Sequence, residues 1–235
     1  MTSPGERGFL TAEWRNLLML NYEVPPSLLL PYVPHGTELD ARDGTHYASI
    51  VGFLFVDTPV RGCAIPWHRT FEEVNLRFSV RRAVSGEWRR GVVFIREIVP
   101  RTAIAVVARV MYGERYIRLP MAHLIDTTVR YLWRVGANEN FIEAVAMSTP
   151  HAILQGSEED FIAEHFRGYA STWRGTVEYR VTHPPWSIRS VDNPVLVCDA
   201  AELYGPAFSG ILADTPASVF LVVGSSVCVY AGERL

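Results

Sequence analysis

From Phe71 to Arg82 apolar and polar side chains alternate. Val74, Leu76, Phe78 and Val80 fall on one side, and Glu73, Asn75, Arg77 and Ser79 on the other. A period of two predicts a β-strand. Ser85-Gly86 predicts a turn and Trp88–Val99 a returning strand, so the pair reads as a hairpin. Ala103–Tyr112 is a further run of Ala, Ile and Val, too short and too β-branched for a helix. Strands are also predicted at Leu17–Tyr22, His46–Val56, Gly175–Val181 and Val219–Tyr230. Six or more antiparallel candidates joined by short turns point to a large curled sheet or barrel.

Helices are few. Pro25-Pro26-Ser27 opens a short one over Leu28–Tyr32, with Pro34 and Gly36 ending it. Ser157 followed by Glu158-Glu159-Asp160 predicts a capped, acidic helix start before Phe161, Ile162, His165 and Phe166, with Gly168 as its stop. Asp199–Tyr204 is a third candidate. No repeat and no linker divides the chain, so residues 9–235 are expected to form one domain behind a flexible arm over residues 1–8.

Composition narrows the chemistry. The 235 residues are 49% hydrophobic and 20% charged, enough for a substantial core. The 25 acidic and 22 basic groups give a net charge of −3, which favours neither nucleic acid nor an anionic membrane. All 22 basic residues are Arg. Without any Lys there is no side-chain amine to form a Schiff base with a carbonyl substrate or pyridoxal phosphate. The longest apolar runs, such as Ala217–Val223, are far short of the roughly 20 residues of a membrane helix. Met1–Gly8 lacks a signal-peptide pattern, and three Cys (Cys63, Cys198, Cys228) without C-x-x-C suit a reducing compartment. A soluble cytoplasmic protein is expected.

The sequence has no G-x-S-x-G, Walker, G-x-G-x-x-G or H-E-x-x-H motif, and its seven His are dispersed. No metal or organic cofactor is expected. Arg81, Arg82, Arg89 and Arg90 around Trp88 read as a solvated hairpin tip rather than a nucleic-acid site. The Glu73, Asn75, Arg77 stripe has two readings. It is either the solvent face of a half-buried sheet, or the inner wall of a curled one, with carboxylate, amide and guanidinium converging on a ligand. Arg15, beside Trp14, is a surface residue unless the fold turns it inward. His183-Pro184-Pro185-Trp186 ends a strand stiffly, with Trp186 as a plug and His183 as a lesser acid/base candidate.

Trp14-Arg15-Asn16-Leu17-Leu18, the Leu28–Pro34 stretch, Gly36-Thr37-Glu38-Leu39-Asp40 and Asp43-Gly44 resemble the opening of the YqjF-like family of bacterial proteins (DUF2071). Phe71–Arg77 resembles that family's F-x-E-x-N-x-R strand, and His183–Trp186 its H-P-P-W segment. More distantly the layout resembles the acetoacetate-decarboxylase-like superfamily. That resemblance implies an α+β, mainly antiparallel fold: a curled sheet closing into a cone-shaped barrel around a buried site, with a few short helices. Phe71-Glu72-Glu73 is similar to that enzyme's carboxylate-bearing Y-x-E strand, and Gly113–Ala122 to its G-R-E-x-x-G-x-P-K-K segment. Met121 and Ala122 stand where the two Lys would be, so imine decarboxylation does not carry over.

The resemblance turns Glu73 and Arg77 toward a cavity, with Arg118, Tyr116, Asn75 and Arg15 near them and Met121, Phe53, Trp14, His183 or Trp186 lining it. Arg77 would clamp a ligand carboxylate while Glu73 exchanges a proton. The structural alternative is a buried Glu73–Arg77 pair that merely neutralises itself. Two functions follow: an enzyme (lyase, isomerase or hydrolase) acting on a small organic acid or carbonyl compound, or a barrel that binds such a ligand without chemistry. The partner expected is that small molecule, not nucleic acid or membrane, and the resemblance makes a homo-oligomer reasonable.

Overall fold

The computed structural model describes Gly8, residues 10–57, the strand segments 59–60 and 63–64, and residues 70–100 and 115–235. Most of the expected N-terminal arm, and the Ala103–Tyr112 run, lie outside these described residues. The first half holds β1 (Leu10–Glu23), β2 (Glu38–Leu39), β3 (Tyr47–Val56), β4 (Pro59–Val60), β5 (Cys63–Ala64), β6 (Phe71–Val84) and β7 (Glu87–Val99). Then come β8 (Tyr116–Arg118), β9 (Met121–Ile125), β10 (Thr128–Val135), β11 (Asn138–Ala146) and β12 (His151–Ala152). The last are β13 (Arg167–Thr172), β14 (Gly175–Thr182), β15 (Ser187–Val197), β16 (Ser218–Val229) and β17 (Glu233–Arg234). Helices are short: α1 (Pro26–Leu29), α2 (Glu158–Ala163), α3 (Ala200–Tyr204) and α4 (Ser209–Ala213).

Local chemistry explains the elements that the pattern predicts. The β6–β7 hairpin turns through Ser85 and Gly86, both at positive φ (52° and 85°), with Val84 opposite Glu87. Two left-handed residues give a turn whose twist matches that of the flanking strands. At α2, the Ser157 hydroxyl accepts from the Asp160 N–H and three acids fill the first turn. That helix ends at Ala163, and Gly168, expected as its stop, lies inside β13. Asp199 caps α3 in the same way, accepting from Glu202.

The long strands form a closed ring. β1 pairs with β3, β3 with β6, β6 with β7, β13 with β14, β14 with β16, and β16 with β1, all antiparallel. A parallel contact at Gly168 and Val92 joins β13 to β7 and completes it. Outside the ring lies a second sheet, β9-β10-β11-β15, which the sequence reading did not anticipate. β15 serves both layers, pairing with β11 through one half and with β16 through the other. The outer sheet sits close on β3: a Cβ added to Gly52 would lie 2.6 Å from the Tyr131 ring and 2.7 Å from Ile142.

Alternation sorts each ring strand between two cores. Leu18 and Leu20, Ile50 and Leu54, Val74, Leu76, Phe78 and Val80 point outward and pack with Tyr131, Trp133, Ile142 and the helices α3 and α4. Leu17, Met19, Val51, Phe53, Phe55 and Phe71 point inward with Tyr116, Tyr179, Trp186 and Phe161 of α2. The polar stripe of β6 belongs to the inside. Glu73, Asn75 and Arg77 are 2%, 3% and 7% exposed, which rules out the solvent-face reading. The outer sheet covers the apolar face of β6, and closure of the ring, with α2 over its end, covers the polar one. Neither face therefore meets the solvent that one face of a lone sheet would.

The arginines of the hairpin tip are engaged in ion pairs. Arg81 bonds Glu38 and stacks on Trp88, Arg90 bonds the buried Asp40, and Arg82, Arg89 and Arg167 converge on Glu178. Burial alone would raise the Glu178 pKa, but the three guanidiniums outweigh it and hold the carboxyl below its ordinary value. Among the described residues, no helix is long and apolar enough to cross a membrane.

Candidate active site inside the ring

Register stacks the inward residues in rows, because residues paired across strands share a face. One row is aromatic: Ser225, Trp14, Phe55 and Phe71 are successive partners across β16, β1, β3 and β6. Phe53 and Glu73 pair one step deeper. The next row is polar, with Val51, Asn75, Glu97 and Tyr116 paired in turn. Ser49 and Arg77 follow, and then Ser79, where α2 and His165 close over the strand.

Glu73 is the centre of the polar part. Asn75 Nδ2 donates to its Oε1 (3.0 Å) and the Tyr116 hydroxyl to its Oε2 (3.2 Å). Burial dominates its protonation and pushes the pKa up to about 7, although Asn75, Tyr116 and the charge of Arg77 all pull it down. Burial, with the charges of Glu73 and Glu97 beside it, raises the Tyr116 pKa well above the phenol range. Arg77 is not spent on Glu73: its Nη2 donates to the Ile162 carbonyl (3.2 Å) and faces Met19 Sδ (3.7 Å). Burial lowers the Arg77 pKa to about 10, with Glu73 and Tyr179 opposing, so the group stays cationic at neutral pH. His165 Nε2 lies 3.2 Å from Ser79 Oγ. Its pKa is lowered by burial and by Arg77 and Arg90, which keeps the imidazole neutral.

The structure therefore brings Glu73, Asn75, Arg77 and Tyr116 together. Trp186 joins the inner core at 3% exposure, its indole N–H donating to Ser225 Oγ (2.8 Å) and its ring 6.3 Å from that of Trp14. The other expected residues sit elsewhere. Arg15 pairs with Glu13 and the Gly224 carbonyl, its side chain 43% exposed. A bulge at Arg15–Leu18, with Asn16 at φ 55°, turns Arg15 out while Trp14 and Leu17 stay in. Arg118, the last residue of β8, is exposed and donates to the Pro100 carbonyl. Met121 is part of β9, opposite Trp133, and packs on the outer core, because the chain leaves the ring at Pro120 to join the outer sheet. His183 has a fully buried imidazole stacked between Phe166 and Trp186. Its Nδ1 lies 2.9 Å from the Pro184 carbonyl and 4.0 Å from Glu164, which makes it part of the strand terminator.

Glu97 and Tyr179 were not foreseen. Glu97 had a signal, a lone carboxylate among Phe94, Ile95, Ile98 and Val99, but its direction depends on a bulge. Among the described residues, no group of three His, Cys, Asp or Glu is placed to hold a metal.

The fold is shared by known proteins. The chain belongs to the DUF2071 family of uncharacterized conserved proteins, whose profile matches residues 11–226. Within the curated proteins it is 24% identical over 201 residues to the uncharacterized protein YqjF of Bacillus subtilis, covering 82% of this chain and 80% of that one. In fold it is similar to acetoacetate decarboxylase from Legionella pneumophila, with a TM-score of 0.70 and 14% identity, over 100% of this chain and 93% of that one. It is also similar to the enduracididine biosynthesis enzyme MppR, solved with the condensation product of pyruvate and imidazole 4-carboxaldehyde. There the TM-score is 0.67 at 13% identity, over 98% of this chain and 91% of that one.

Proposed function

We propose that this protein takes a small organic acid or carbonyl compound into the ring, where Glu73 exchanges a proton with it and Arg77 holds its carboxylate. One observation carries the reading: a carboxyl group 2% exposed, pushed by burial to about 7, with donors on both oxygens. A group whose pKa lies near the working pH serves as acid and base with the least penalty. Arg77 is a buried cation whose Nη2 is held by the Ile162 carbonyl rather than by Glu73, and its remaining N–H groups suit a ligand carboxylate. With no Lys in the chain, a lyase, isomerase or hydrolase would run without an imine. The ring is taken to close as a cone-shaped barrel around this site in a cytoplasmic protein, with the small molecule rather than nucleic acid or membrane as its partner. The second reading, a barrel that binds without chemistry, is favoured by the missing Lys in a fold whose similar structures include a decarboxylase.

A thermal-shift screen against keto acids, hydroxy acids and apolar carboxylates tests this. A ligand at about 100 times its Kd adds roughly 2.7 kcal/mol. A shift lost in Arg77→Gln supports the reading, and a flat screen refutes it. With a hit in hand, Glu73→Gln abolishes turnover and spares binding if the protein is an enzyme. If the wild type yields no product from a bound ligand, the binding-only reading stands.

A further inference from the structure

On the strength of that reading, we infer that the acid carries a flat aromatic or conjugated ring, seated against Trp14, Phe53, Phe55 and Phe71 while its carboxylate reaches toward Arg77. The two faces of the same strands are built from different materials. Outward, β1, β3 and β6 present Leu18, Leu20, Ile50, Leu54, Val74, Leu76 and Val80, aliphatic apart from Tyr22 and Phe78, which lie at the end away from Phe71. Inward, next to Glu73, they present aromatic rings. A core that only had to exclude water could use aliphatic side chains on both faces, as cores fill space with either.

The rings are also arranged as a receptor for a flat group. Phe55 and Phe71 stack with centroids 4.7 Å apart and planes at 10°. Trp14 meets Phe53 and Phe55 edge-on, at 5.4 and 5.8 Å. Aromatic rings attract a further ring in offset or edge-to-face positions. Phe53 is the direct cross-strand partner of Glu73, and Phe71 stands two residues before it. Arg77 Nη2 lies 3.7 Å from Met19 Sδ, and Met19 is the partner of Val51, two residues along β3 from Phe53. Two residues of strand span about 7 Å, close to the length of a small aryl acid, so a ring against Phe53 sets its carboxylate beside the guanidinium. A second observation points to an occupant. Trp14 is only partly buried, so the aromatic row borders solvent, yet its indole Nε1 is buried and has no acceptor among the described residues. A buried donor without a partner is uncommon in native proteins, and a carbonyl oxygen of the ligand would satisfy it.

The test compares three 2-oxo acids on the wild type by calorimetry: pyruvate, its cyclohexylmethyl analogue and phenylpyruvate. Phenylpyruvate is expected to bind at least about tenfold tighter than pyruvate, with the cyclohexyl acid between them, since an aromatic contact adds to area burial. Trp14→Leu, at a partly exposed position, is expected to bring phenylpyruvate down to the affinity of the cyclohexyl acid. Equal affinities of pyruvate and phenylpyruvate, both lost in Arg77→Gln, would overturn this inference and leave the small-acid reading standing. Tight phenylpyruvate binding that ignores Trp14→Leu would also overturn it. If none of the three acids binds, this inference is overturned, while the small-acid reading stands or falls on the wider screen of hydroxy acids and apolar carboxylates.

Discussion

Replacing Glu73 by Gln changes how stability depends on pH, and the structure gives both sign and size. The carboxyl has a pKa of about 7 when folded and an ordinary value of 4.5. Between those two values the folded protein holds a proton that the unfolded chain has released, so stability falls as pH rises. The contribution is complete below pH 4.5 and gone above about pH 7. A difference of about 2.5 units at 1.36 kcal/mol each makes the loss about 3 kcal/mol. Gln cannot ionise, so Glu73→Gln lacks this slope. Gln also offers only one acceptor where Asn75 and Tyr116 both donate, which costs a pH-independent amount. Urea unfolding of both proteins at intervals from pH 4.5 to pH 8.5 separates the two effects. The stability of the variant relative to wild type is expected to rise by about 3 kcal/mol across that range, most steeply between pH 5 and 7. A constant difference, or one that falls with pH, would show that Glu73 is ionised throughout and not held near neutrality by burial.

Two further perturbations probe the framework. A Cβ at Gly224 would lie 1.9 Å from the Trp14 carbonyl oxygen, and its φ is +83°, whereas Gly86 at φ +85° has open space around it. Gly224→Ala should therefore cost about 2–4 kcal/mol in urea unfolding and Gly86→Ala only about 1–2, the excess measuring the clash beneath the aromatic row. Ser157→Ala removes the acceptor of the Asp160 N–H at the start of α2 and is expected to cost about 1 kcal/mol, with Ser157→Gly costing a few tenths.

The hairpin, the helix caps and the alternation of β6 were legible in the sequence because each depends on neighbours in the chain. Ser85-Gly86 selects a turn, Ser157 caps the helix three residues before Asp160, and the period of two divides Glu73, Asn75 and Arg77 from Val74, Leu76 and Phe78. The outer sheet was legible in part as well. Val129, Tyr131, Trp133 and Val135 alternate as cleanly as β6 does, and Gly136 at φ 57° starts the turn into β11.

Local pattern alone fixes a set of faces: which side chains lie together along each strand, and that no lysine amine is available for imine chemistry. Which face meets water was decided by the tertiary structure. β6 is covered outside by β9–β11 and its helices and inside by the ring's own closure, so a stripe that would suit solvent is 2–7% exposed. Glu97 shows the same limit at one residue. Counted straight back from the Ser85-Gly86 turn, it would face Val74 and the outer core, but the bulge after Leu76 shifts the register by one and sets it opposite Asn75, inside the ring. A shift of one residue exchanges the faces of a strand, and its cause here is long-range: closing a sheet into a ring demands curvature, which β-bulges supply at positions that no local pattern marks.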